Sequence, residues 1–165
     1  MAEYLETSEF QKSRAFSPAV ITQGGRTVWL AGQTATRDEA GNDISGNFEA
    51  QVRAIFSLID KTLKRAGGSL ANMVTMTVFI NEPRYGDKFV EMRKSFFPDG
   101  KFPASALITV SHFARPGMLI EIQGVAVIGG VKTQTQRGDD KSELRLIVNA
   151  KDQERRARRD RAARA

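Results

Sequence analysis

The stretch that most restricts how this chain folds is 48–80. Phe48, Val52, Ile55, Ile59, Leu63 and Ala66 recur in steps of three and four, the spacing of one helical face. Asn47 precedes them as an N-cap, and Gly67-Gly68 follows as a stop signal. Lys61, Lys64 and Arg65 place positive charge at the negative end of the helix dipole. Residues 74–80, VTMTVFI, then form an apolar run broken only by threonines, as expected for a central strand covered on both faces. A long amphipathic helix beside such a strand implies layers. The helix closes one face of a sheet, and the other face also needs a cover.

The remaining segments fill in around this unit. Residues 19–23 and 26–31 are short β-type runs, and Gly24-Gly25 between them suits a two-residue hairpin turn. Residues 34–46 are turn-rich. Tyr85, Phe89, Met92 and Phe96 mark a second amphipathic helix, ended near Pro98 and Gly100. Residues 105–110 and 119–128 flank the turn Arg115-Pro116-Gly117 and read as a closing hairpin. The order β-β-α-β-α-β-β predicts an α+β fold, a mixed or antiparallel sheet with two helices packed on one face. Covering the other face calls for a trimer or dimer packed through the sheets.

Length and charge divide the chain. Its 165 residues suit one domain, 18–130, between a polar lead-in, 1–17, and a tail, 131–165. The tail holds 11 Lys and Arg against 6 Asp and Glu, whereas residues 1–130 hold 14 against 13. The basic character therefore belongs to the tail and says nothing about the fold or a pocket. The tail ends DQERRARRDRAARA, which has no apolar face and no interleaved aromatics. A solvated helix is the simpler reading of it, with contact to nucleic acid or an acidic partner left open for the tail and unexpected for the core.

Several chemistries are excluded. No cysteine is present, which removes thiol nucleophiles and thiolate metal sites, and the single histidine cannot build a multi-histidine centre in one subunit. No metal site of either kind is expected. The acidic N-terminus does not read as a signal peptide. No apolar run approaches the roughly 20 residues that span a bilayer. A cytosolic protein without membrane contact is the expectation.

The chemically odd residue is Glu121, one carboxylate inside the apolar strand 119–128. Burying a lone carboxylate is unfavourable, so Glu121 is solvated, paired with a basic residue of a neighbouring subunit, or working. Gly32, at the end of strand 26–31, suggests a close approach of backbone or ligand. Trp29 belongs to core or interface.

Four segments resemble the RidA/YjgF family, once described as L-PSP endoribonucleases: VWLAGQT (28–34), 48–81, FPASALITV (102–110) and LIEIQGVAV (119–127). The loop RDEAGNDISGN (37–47) is similar to the family turn before the long helix. The resemblance spans about 17–128 and leaves out the tail. It implies a chorismate-mutase-like fold, a homotrimer whose centre is formed by the sheets, and clefts at the subunit interfaces. It also implies hydrolysis, without a cofactor, of reactive enamines and imines such as 2-aminoacrylate to ketoacids and ammonia. In that chemistry an arginine clamps the substrate carboxylate through bidentate hydrogen bonds, and a glutamate with backbone groups positions water. Glu121 matches that glutamate.

The departures from the family pattern are specific. Ser105 stands where the family has its arginine, and Leu107 where it has a small polar residue or cysteine. Ala31 replaces a serine, while Gly32 and Gln33 are kept. Ala19 and Val90 fall near the family tyrosine and asparagine. Losing the clamp removes a charge-assisted hydrogen bond worth about 1.5–3 kcal/mol. Three readings result. The first is a divergent hydrolase or deaminase for a larger or less anionic imine, enamine or related small metabolite, ring-cleavage products included. There Glu121 handles water, Ala31, Gly32, Gln33 and Ser105 orient the substrate, and Leu107 lines the pocket. The second is a non-catalytic trimer that binds a small molecule or a protein. The third is nucleic-acid binding or cleavage through the tail, although RNA cleavage would need an acid–base pair and phosphate-binding cations that a near-neutral body with one histidine does not suggest. Ser105 reads more simply as a filler than as a nucleophile, and Gln33 as a backbone-bonding residue. His112 reads as a rim residue, or as an acid–base group if it reaches the cleft. Arg115 is a candidate to replace the clamp.

Overall fold

A computed structural model describes residues 2–129. The elements in order are β1 (Ala2–Tyr4), α1 (Glu9–Ser13), β2 (Val20–Thr22), β3 (Arg26–Gln33), α2 (Phe48–Arg65), β4 (Met73–Ile80), α3 (Tyr85–Phe96), β5 (Ala104–Thr109) and β6 (Ile120–Ile128). A single 3-10 turn, Leu70–Asn72, joins α2 to β4. This is an α+β fold whose main sheet has the order β3-β6-β4-β5. The tail read as basic, 131–165, lies outside the described residues.

Helix α2 forms where its periodicity requires. The Asn47 side chain accepts from the Ala50 N–H at 3.1 Å, and Lys64 and Arg65 occupy the last turn. Its apolar stripe packs on β6 and β3. Phe56, fully buried, stacks on Phe96 with ring centroids 4.0 Å apart and meets Phe89 and Phe97 as well. Aromatic contacts thus join α2 to α3 above the sheet.

Side chains alternate between the two faces of the sheet. Met76, Val78 and Ile80 of β4 and Ile120, Ile122 and Ala126 of β6 are buried under the helices. Thr75, Thr77 and Phe79 point the other way and are only half-buried. The same open face carries Trp29, 80% exposed, and Ile108, 43% exposed. The second cover that the β4 sequence calls for is therefore not supplied by the described residues of one chain.

Three expectations are corrected. Strands 105–110 and 119–128 do not form a hairpin: β5 pairs parallel with β4, and β6 pairs antiparallel with both β4 and β3. The cause is topological. Helix α3 returns the chain so that β5 runs alongside β4, and the connection 110–119 is long enough to carry β6 across to the far side of β4. Gly24-Gly25 does turn the chain, but β2 pairs with β1 instead of β3. The lead-in 1–17, read as polar and irregular, contains β1 and the one-turn helix α1, which adds a third helix to the two expected. Ser8 caps α1 in a capping box with Gln11. Ser17 then docks the segment on the sheet edge, its buried hydroxyl donating to the Phe102 carbonyl at 2.6 Å.

Candidate functional site

Glu121 sits where β3 is irregular. Leu30 pairs with Gly124 and Gln33 with Ile122, so Ala31 and Gly32 share one partner position in a β-bulge. A Cβ on Gly32 would stand 1.9 Å from Glu121 Oε1, so only glycine lets the carboxylate lie this close to the β3 backbone. Across the strand on the other side, Glu121 faces Phe79. Glu121 forms no hydrogen bond or ion pair among the described residues. Gln33 braces the bulge, its Nε2 donating to the carbonyls of Ala31 at 3.3 Å and Gly32 at 3.4 Å. Ala31 is exposed beside them.

The start of β6, and so the position of Glu121, is held by a residue that the sequence reading passed over. Gln51 on α2 is fully buried. Its Nε2 donates to the carbonyls of Ile44 at 3.1 Å and Gly117 at 2.7 Å, and its Oε1 accepts from the Leu119 N–H at 2.9 Å. Gly117 has φ +82°, and a Cβ there would press on Ser45 at 2.8 Å. The amide therefore ties the loop before α2 to the loop before β6. A signal was present: Gln51 lies three residues after Phe48 and four before Ile55, on the apolar stripe, where a buried amide must find partners.

Ser105 and Leu107 lie elsewhere. Ser105 is paired with Met76 and Glu121 with Phe79, positions on opposite faces of the sheet. Leu107 looks toward α3, where a Cβ on Gly86 would be 3.5 Å from its side chain. The structure thus joins Glu121 with Gly32 and Gln33, and does not join them with Ser105 and Leu107 inside one chain. His112 and Arg115 sit exposed on the connection 110–119, with no hydrogen bond or ion pair among the described residues. Among the described residues no three His, Asp or Glu side chains stand close enough to hold a metal ion.

Beside Ser105 stands a second residue missed in the sequence. Arg93 of α3 is 3% exposed. Its Nη1 donates to Ser105 Oγ at 2.7 Å and its Nη2 to the Arg14 carbonyl at 2.5 Å, while its Nε has no acceptor. The guanidinium carbon lies 5.2 Å from the centre of the Phe89 ring. Burial, reinforced by the nearby Arg14 charge, brings its pKa down to about 10. The neighbouring acid, Asp87, pairs with Arg14 at 2.5 Å instead. Arg93 follows Phe89 by four residues, so it too falls on the apolar face of its helix.

With this geometry in view, the comparisons are decisive. The chain matches the family described as Endoribonuclease L-PSP over residues 6–128. It belongs to this family, the RidA/YjgF family. Family relatives include a RutC family protein of Pyrococcus abyssi, 28% identical over 102 residues that cover 62% of this chain and 79% of that one. A RutC family protein of Sulfurisphaera tokodaii is 28% identical over 98 residues, 59% of this chain and 77% of the relative. Among solved structures, a Rid family protein of unknown function from Yersinia pestis superposes with a TM-score of 0.69 at 24% identity, over 77% of this chain and 98% of that one. A YjgF/YER057c/UK114 family member from Mycobacterium tuberculosis superposes with a TM-score of 0.54 at 25% identity, over 78% of this chain and all of that one. The chorismate-mutase-like fold implied by the family segments is thereby shown. No helix among the described residues is long and apolar enough to cross a membrane.

Proposed function

We propose that this RidA/YjgF protein is a cytosolic, cofactor-free hydrolase acting on the imine or enamine form of a small metabolite, in clefts between the copies of a homotrimer. The observation that carries the reading is the Glu121 carboxylate, without a partner and seated against Gly32 on the open face of the sheet. A free carboxylate at such a place can accept a proton from water as the water adds to a C=N carbon. The carbinolamine so formed collapses to a carbonyl and ammonia. The net reaction consumes one water and releases one ammonia.

Two features support an interface cleft. Ser105 and Glu121 occupy opposite faces of one sheet, so a ligand touching both must lie between copies. Trp29 and Ile108 leave an apolar surface that a second copy would cover.

Ammonia release from freshly generated imines and enamines, small and bulky, tests the proposal. The wild type should turn over at least one of them, and Glu121→Gln should lower that rate by about 10²-fold or more with the oligomer unchanged. Equal rates in the two proteins would remove Glu121 from the chemistry. Silence of the wild type across the panel, with its oligomer intact, would favour a non-catalytic binding module.

A further inference from the structure

We propose that Asn81 is a second ligand-binding residue of the Glu121 site, whose amide oxygen accepts a hydrogen bond from the nitrogen of a protonated, N–H-bearing imine. The inference rests on the hydrolase reading above and adds to it the group that holds the reacting nitrogen.

The first support is a buried acceptor without a donor. Asn81 follows β4 directly, and its Oδ1 is shielded from solvent with no hydrogen-bond partner among the described residues. Taking an amide oxygen out of water without a donor is unfavourable, and a native fold holds few such groups. The neighbouring main-chain donors are committed. Leu119 N–H donates to Gln51 Oε1 at 2.9 Å, Val110 N–H to the Ile80 carbonyl at 2.8 Å, and Asn81 N–H to the Leu119 carbonyl at 3.2 Å. The missing donor is therefore one that a ligand can supply. Asn81 as a whole is half-buried, and a turn about χ2, a soft torsion, brings its oxygen to the surface.

The second support is where the residue lies. Phe79 stands opposite Glu121, and Ile80 opposite Ile120. The Asn81–Leu119 hydrogen bond carries this antiparallel pairing one residue further. Two residues beyond Phe79, Asn81 falls on the open face, diagonal to Glu121. Diagonal neighbours of this kind stand about 7–8 Å apart. A carboxylate and an amide oxygen at that separation leave room between them for a water and a C=N group. Beside them on the same face lie Phe79 and its partner Ile108, both apolar. The chemistry uses both oxygens. A nitrogen that donates to Asn81 keeps its proton, and a protonated C=N carbon is the better electrophile. The water oxygen bonds to that carbon, the π pair moves onto nitrogen, and Glu121 takes a water proton. Glu121 hands that proton to nitrogen, and the C–N bond breaks as the hydroxyl releases its proton to the departing ammonia. A carbonyl and ammonium leave.

Calorimetric titration of the full chain with acetamidinium and with its tetramethyl form provides the test. Acetamidinium is a stable cation with N–H groups on a trigonal carbon, and the tetramethyl form keeps the charge without an N–H. The wild type should bind acetamidinium the more tightly. Asn81→Leu keeps the approximate volume and removes the acceptor. It should weaken acetamidinium binding roughly tenfold or more, the value of one hydrogen bond to a charged group, and leave binding of the tetramethyl form unchanged. Its melting temperature should equal or exceed that of the wild type, since an unpaired buried oxygen is gone, whereas loss of a merely structural residue would lower it. Asn81→Asp, which keeps an acceptor oxygen, should retain acetamidinium binding. Equal or absent binding of the two cations by the wild type would overturn the proposal, as would unaltered acetamidinium binding in Asn81→Leu. A smaller mass of Asn81→Leu in light scattering would overturn it too, because the missing donor then belongs to a neighbouring copy. No turnover is needed for this readout. Glu121-dependent ammonia release that Asn81→Leu leaves intact would overturn the role of Asn81 alone. Acetamidinium binding that Asn81→Leu weakens, without ammonia release from any imine by the wild type, would overturn the hydrolase reading alone.

Discussion

The two faces of the β3-β6-β4-β5 sheet are built from the same strands and have opposite character. The face under α2 and α3 is sealed by Met76, Val78, Ile80, Ile120, Ile122 and Ala126. The other face holds threonines, Glu121 and Gln123, with Trp29 and Ile108 exposed among them. The first face is where the chain finds its stability, since burial of apolar surface is the dominant favourable term in folding. The second is where a carboxylate can remain free, because nothing within the described residues pairs with it. The thickness of one sheet thus separates the face that seals the core from the face that carries an unpaired carboxylate.

The contrast can be broken most severely from the sealed side. Phe56→Ala removes the ring shared by α2 and α3 and should cost about 3–5 kcal/mol in urea denaturation, the range for large aromatic truncations. Gln51→Leu keeps the volume but strips partners from Ile44, Gly117 and Leu119. It should cost about 2–3 kcal/mol by the same measurement, with hydrogen exchange quickening at the start of β6. A loss under about 0.5 kcal/mol would show that Gln51 does not hold that strand.

On the open side the expected effects shift from stability to function. Gly32→Ala forces Glu121 aside and should lower turnover by roughly 10²-fold through misplacement alone, at a stability cost of about 1 kcal/mol. Trp29→Lys should change the folding stability of one subunit by no more than about 0.5 kcal/mol. Its main effect should be on mass in light scattering, where a trimer packed through this face would dissociate. An unchanged mass would place the subunit interface elsewhere.

The smallest effect belongs to the rim. Asp60 accepts from Leu70 N–H at 3.1 Å and pairs with Lys64 at 2.6 Å, and its pKa is lowered, chiefly by the Lys64 hydrogen bond. A carboxyl whose folded pKa is depressed adds stability that is complete above its unfolded value of 3.8 and disappears as pH falls through the lower folded value. Asp60→Asn should therefore cost about 0.3–0.5 kcal/mol at neutral pH and nothing in strong acid, as read from thermal unfolding at both pH values.

Local elements were legible wherever one periodicity dominated. The extent of α2, its Asn47 cap and its buried stripe follow from residues 47–66, and α3 follows from Tyr85, Phe89, Met92 and Phe96. Segment β1 with α1 was not legible, since a three-residue strand and a one-turn helix carry too little pattern to rise above a polar stretch. In the candidate site, Glu121 and Gly32 could be singled out by type and position, an acid in an apolar strand and a glycine at a strand end. Gln51 and Arg93 were masked because each sits inside a helical stripe that otherwise reads as core.

By itself, the sequence determined the α+β class, the two principal helices, the family and the oddness of Glu121. Each depends on residue spacing within a few turns of chain or on motifs within one segment. Tertiary structure alone decided that β5 lies beside β4 and not β6, that Ser105 and Glu121 face opposite ways, and that Arg93 stands behind Ser105. Those facts depend on which distant segments meet. Such meetings are chosen by the packing of whole faces and the lengths of connections, and no local spacing records them.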